Sequence, residues 1–118
     1  LEVVDQAAVR AYWNKLPADA HVLDNRAERS VAVFGRAAYA FTQEHAPLPQ
    51  WGALVNDPTP AKVLAAGYTH LYMNNFWWNN IPAQTRQALQ AACVQAWPAL
   101  EAAGGLDYRQ VLDVTGCR

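Results

Sequence analysis

The sequence predicts an α/β domain: a small layered sandwich around a mostly parallel sheet of about five strands, with an antiparallel edge. Three observations lead there. Helical and strand-like patterns alternate along the chain. Proline and glycine mark helix starts and ends, most clearly at Asp57-Pro58-Thr59-Pro60 and at Gly67. The chain has 118 residues, 53% of them hydrophobic, enough for one core and one domain spanning 1–118.

The elements follow in order. Val4, Ala8, Ala11, Tyr12 and Leu16 recur at helical spacing, which predicts a helix over Asp5–Lys15 stopped by Pro17. Ala20–Asp24 is a short β-prone run ended by Asn25. Ala27–Phe34 reads as a helix closed by Gly35, with a strand through Ser30–Phe34 as the alternative. Ala37–Phe41 reads as the second strand, and Ala46–Pro49 as a loop before a short helical turn carrying Trp51 and Leu54. Thr59 caps and Pro60 opens the next helix, which Gly67 closes. Thr69–Met73 combines aromatic and other β-favouring residues and is the best strand. Phe76-Trp77-Trp78 is a loop or a single helical turn. Pro82 opens a helix ending near Ala92, Cys93–Trp97 forms a strand, Gly104-Gly105 turns, and Tyr108–Val114 is the last strand. Strands separated by helices imply parallel crossovers and a Rossmann-like arrangement, with the final two strands as an antiparallel edge.

Composition excludes several function classes. The formal net charge is −1, from nine basic and ten acidic residues, and no basic stripe suits nucleic acid. The longest uncharged stretch, Val63–Thr85, is interrupted by four asparagines, Pro82 and Gln84, so it is too polar to span a membrane. The sequence opens on Leu1 rather than Met and reads as a fragment of a longer chain. His21, His45 and His70 form no metal-binding spacing, and no cofactor motif is present. The single serine, Ser30, lacks a nucleophile elbow.

Three features point toward chemistry. Asp24 ends a strand, where α/β folds place ligands, although strand-end acids also cap turns. The run Asn74-Asn75-Phe76-Trp77-Trp78-Asn79-Asn80 follows the best strand. There, Trp77 and Trp78 offer stacking faces for sugar rings, and Asn74, Asn75 and Asn79 offer hydrogen bonds to hydroxyls. The alternative is that these tryptophans pack under the sheet and the asparagines make turns. Cys93 and Cys117 pair if their strands are neighbours, which implies an oxidising compartment. The alternative is two core thiols.

Several segments also carry a resemblance. Leu16-Pro17-Ala18-Asp19-Ala20-His21-Val22-Leu23-Asp24, the Phe34-Gly35-Arg36 ending of Arg29–Arg36, and Ala65–Met73 resemble soluble C-terminal domains of bacterial multi-spanning membrane proteins. So do Cys93 and the closing Asp107-Tyr108-Arg109 with Leu112-Asp113. Those proteins are similar to the dolichyl-phosphate-mannose mannosyltransferase class of GT-C glycosyltransferases. The resemblance implies an extracytoplasmic accessory domain whose partner is the transmembrane region of its own parent chain, with a glycan as a further partner. It carries over no catalytic residue, because in that class the catalytic acids lie in the membrane part. Two other readings stand beside it: a free-standing carbohydrate-binding module using the Trp77/Trp78 loop, and a small α/β enzyme with Asp24 and His70 at strand ends.

Overall fold

A computed structural model describes residues 3–12, 15–26, 33–34 and 48–118. Helix α1 covers Val3–Tyr12, beginning two residues before the expected Asp5, and strand β1 is Val22–Leu23. Helices α2 (Leu48–Asn56) and α3 (Pro60–Ala65) lead to β2 (His70–Asn74). Helices α4 (Asn75–Asn80) and α5 (Ala83–Leu89) follow, then β3 (Gln95–Ala96), β4 (Leu100–Ala102) and β5 (Asp107–Asp113). Of the predicted Ala27–Phe34 helix, only Val33 and Phe34 are described; they are helical and buried. The predicted Ala37–Phe41 strand lies outside the described residues.

Local chemistry explains most boundaries. Thr59 has extended backbone and its side chain accepts from the Lys62 N–H, while Pro60 occupies the first helical position. Gly67 then reverses the chain at φ 93°. The loop expected at Ala46–Pro49 is already helical from Leu48, because a proline in a first turn lacks only an N–H that would have no partner. Asn74 caps α4 by accepting from the Trp77 N–H, so Phe76-Trp77-Trp78 is helical. Asp57 joins α3 to α5: it accepts from Lys62 and from the Thr85 hydroxyl, and these bonds hold its carboxyl below the usual range.

The sheet corrects the expected topology. The described strands run β1-β2-β5-β3, with β4 also on β5. Among the described residues only β1 and β2 are parallel; β2–β5, β3–β5 and β4–β5 are antiparallel. The described sheet is therefore mixed and mostly antiparallel, not clearly Rossmann-like, although the expected antiparallel pairing of the Cys93–Trp97 and Tyr108–Val114 segments is present, as β3 on β5. Alternating helices and strands give a parallel sheet only where each helix returns the chain to a parallel neighbour. Here β5 folds back from the hairpin and inserts beside β2, pairing from His70↔Asp113 to Asn74↔Arg109.

Strands β3 and β4 form one edge strand with an extra residue. From Ala96 to Leu100 this strand advances four positions, while their partners Leu112 and Arg109 are three apart. The excess is a bulge at Trp97-Pro98-Ala99, where Pro98 has no N–H to give a ladder. The Trp97 N–H still reaches the Val111 carbonyl, and the Gln110 side chain donates to the Trp97 carbonyl.

Alternation along the strands divides the core between the sheet's two faces. Leu23, Leu71, Met73 and Leu112 pack with Leu54, Val63, Trp77, Ile81 and Leu89 from helices α2–α5 and the turns beside them. Val22, Tyr72 and Val111 pack on the other face with Ala8 and Tyr12 of α1 and with Phe34. Cys93 and Cys117 are bonded, at a Cα separation of 4.9 Å, which fastens the turn after β5 to the segment before β3.

Candidate functional site

Three chain segments meet at one end of the sheet. Strands β1 and β2 are parallel and end there, and antiparallel β5 begins there. Crevices at the carboxyl ends of parallel strands are where open α/β sheets take ligands. The crevice here has a volume of about 470 Å³ and is lined by Asn25, Arg26, Asn74, Asn75, Phe76, Asp107 and Arg109.

Its floor is a buried ion cluster. Arg109 is 2% exposed and donates through Nε to Asp5 Oδ1 at 2.8 Å. Its Nη1 donates to Asp107 Oδ1 at 2.7 Å and to the Tyr108 carbonyl at 2.9 Å. Burial alone would pull the guanidinium pKa down, but the hydrogen bonds to Asp5 and Asp107 carry it above its ordinary value. The Tyr72 hydroxyl donates to Asp5 at 2.8 Å, and burial, then that bond, raises its pKa. This network pins Asp107 at the cleft and α1 to the sheet.

The walls are amides held by the fold. Asn74 donates to Asn25 Oδ1 at 2.8 Å and accepts from the Trp77 N–H at 2.9 Å. Asn75 donates to the Leu106 carbonyl at 3.1 Å and accepts from the Tyr108 N–H at 3.3 Å, bridging α4 to the β4–β5 hairpin. An amide has two N–H donors and two acceptor lone pairs, so each side chain keeps one of each beyond these bonds. Beside them the Phe76 ring stands 70% exposed.

The predicted residues therefore separate. Asn74 and Asn75 line the cleft. Asp24 lies beneath, 1% exposed, and accepts from the Arg26 N–H, so it shapes the turn after β1. Trp77 is in the core and donates through Nε1 to the Val55 carbonyl at 2.7 Å. Asn79 is exposed on α4. Trp78 is half-buried and lines a second cleft, of about 350 Å³, with Gln90, Tyr108 and Gln110 among its walls.

Sequence reasoning missed Asn25, Arg26, Phe76, Asp107 and Arg109. For Asn25 and Arg26 the available signal was their position directly after a strand-end acid. Arg109 gave none, because its meaning depends on Asp5 at the far end of the chain.

His70 begins β2 instead of ending it. Its Nδ1 is 2.7 Å from Thr69 Oγ1 and its Nε2 is 3.6 Å from Asp113 Oδ2. Burial lowers its pKa, against the opposing pull of Asp113 and Asp19. Neither His70 nor Asp24 lines the two clefts. Among the described residues no group of three or more His, Cys, Asp or Glu side chains is arranged to hold a metal ion. No helix among them is long and apolar enough to cross a membrane. The disulfide is a mark of an oxidising, non-cytoplasmic compartment.

Comparison with known proteins yields no relative: no family model, no curated protein and no solved structure matches the chain.

Proposed function

We propose that this chain is a non-catalytic accessory domain that binds carbohydrate in the strand-end cleft, carried on the extracytoplasmic face of a membrane glycosyltransferase-like protein. The observation that carries the binding role is the composition of the cleft. Amides of Asn25, Asn74 and Asn75, with Arg26 and Asp107, surround the exposed Phe76 ring. A sugar presents hydroxyls that need fixed donors and acceptors and a C–H face that stacks on an aromatic ring. The disulfide supports a compartment in which such glycans occur. The membrane setting, with the transmembrane region of the same parent chain as partner, rests on the resemblance of Leu16–Asp24, Arg29–Arg36 and Ala65–Met73 described above.

The test is binding of the 118-residue chain to a panel of immobilised glycans, with Phe76→Ala as control. Phe76 is exposed, so its removal leaves the core intact. Loss of a stacking contact of about 1 kcal/mol weakens binding about fivefold. Absence of binding to every glycan, or unchanged binding by Phe76→Ala, would refute the reading.

A further inference from the structure

We propose that the cleft lined by Trp78 is a second binding site, separate from the strand-end cleft, and that it takes a single neutral pyranose. Its volume of about 350 Å³ falls in the small-ligand range of about 300–1,000 Å³. Three elements build it: Trp78 comes from α4, Gln90 stands just past α5, and Tyr108, Gln110 and Leu112 come from β5. The two clefts share no described lining residue. Alternation along β5 turns Tyr108, Gln110 and Leu112 to one face of the sheet and Asp107 and Arg109 to the other. This site therefore stands or falls independently of the strand-end cleft.

The lining has groups that the fold itself does not use. Trp78 and Tyr108 are half-buried and pack against the core cluster, which holds their rings in place. Among the described residues, the Trp78 indole N–H, the Tyr108 hydroxyl and the Gln90 amide have no hydrogen-bond partner. Gln110 gives an N–H to the Trp97 carbonyl at 2.9 Å, which fixes its side chain and leaves its amide oxygen to accept. Donors and acceptors thus stand beside two rings and the apolar side chain of Leu112. A wholly apolar ligand would strip water from these groups and pair with none of them. A charged ligand would lose its water and meet no counter-ion, since none of the described lining residues is charged. A pyranose meets both conditions: it is neutral, its C–H face stacks on a ring, and its hydroxyls pair with amides, indole and phenol. Of the two rings that the sequence offered for stacking, the core takes Trp77 and this cleft keeps Trp78.

Fluorine resonance reads the site directly. Protein carrying fluorotryptophan has five such resonances, one per tryptophan, and Trp78→Phe assigns the one from Trp78. The probes are glucose, mannose and N-acetylglucosamine, each with its 6-phosphate. At least one neutral sugar should move the Trp78 resonance to saturation, and its 6-phosphate should bind about tenfold more weakly or less. Gln90→Ala should raise the Kd read at Trp78 about fivefold, and Gln90 is exposed, so that variant does not burden folding. Phe76→Ala should leave that Kd unchanged. A Trp78 resonance that stays still with every neutral sugar would overturn the proposal. So would a phosphorylated sugar that binds as tightly as the neutral one, a Kd unmoved by Gln90→Ala, or a Trp78 shift abolished by Phe76→Ala. Sugar binding that depends on Phe76 while Trp78 stays still removes this site and keeps the strand-end one. A saturable Trp78 shift that persists in Phe76→Ala keeps this site even if the strand-end cleft binds nothing.

Discussion

Reduction of the Cys93–Cys117 bond should lower the melting temperature by about 14 °C. The two cysteines are 24 positions apart. Releasing a loop of that length returns about 3.4 kcal/mol of chain entropy to the unfolded state in the loop-closure treatment. A domain of 118 residues unfolds with an entropy near 0.25 kcal/mol/K. The quotient is the expected shift. The bond is well placed to act in full, because β3 is held to β5 by only two residue pairs, Gln95↔Asp113 and Ala96↔Leu112. The assay is calorimetry with and without a phosphine reductant, alongside a Cys93→Ser/Cys117→Ser variant. Alkylation mass spectrometry should find both thiols blocked until reduction. A shift below about 4 °C, or thiols that alkylate freely in protein purified without reductant, would refute the reasoning.

Three further outcomes are expected. Arg109→Met should cost about 3–5 kcal/mol in urea unfolding, since it leaves Asp5 as an uncompensated buried charge; an effect below 1 kcal/mol would mean that the cluster does not hold α1 to the sheet. Stability should fall as the pH drops below about 6.5, because the unfolded chain then takes up a proton on His70 that burial makes the folded chain resist. Denaturant midpoints between pH 7.5 and 5 measure this slope, and His70→Gln should flatten it; an unchanged slope would assign the effect to other groups. Gly116→Ala should destabilise by about 1–3 kcal/mol, since a Cβ there would sit 2.6 Å from the backbone oxygen of Cys93, and a melting temperature equal to that of the parent would show that this turn yields freely.

The parts of the fold legible in the sequence are those governed by neighbours. Thr59, Pro60 and Gly67 mark a helix by capping and turn chemistry alone, and residues 70–73 of β2 declare themselves by side-chain type. The disulfide followed from two cysteines near two strands that proved to be paired. Strand direction was not legible, because it depends on β5 choosing β2 as its partner across more than thirty residues. Strand β4 was missed because its three residues, Leu100–Ala102, lie in a run of five between Pro98 and Gly104 that looks like a turn on its own. At the site, Asn74 and Asn75 were found from their place after a strand. The division between Trp77 and Trp78 was not, since adjacent residues on a short helix differ by about 100° and only the packed core decides which ring turns inward.

The bulge at Trp97-Pro98-Ala99 has a consequence for how this domain keeps company. The outer strand of the described sheet offers two residues of ladder at Gln95–Ala96, a break, and three more at Leu100–Ala102, with the register displaced by one between them. A strand from another molecule that aligned with the first stretch would be out of step with the second and would meet Pro98, which has no N–H, between them. Two copies can thus meet along this edge without their sheets joining into one.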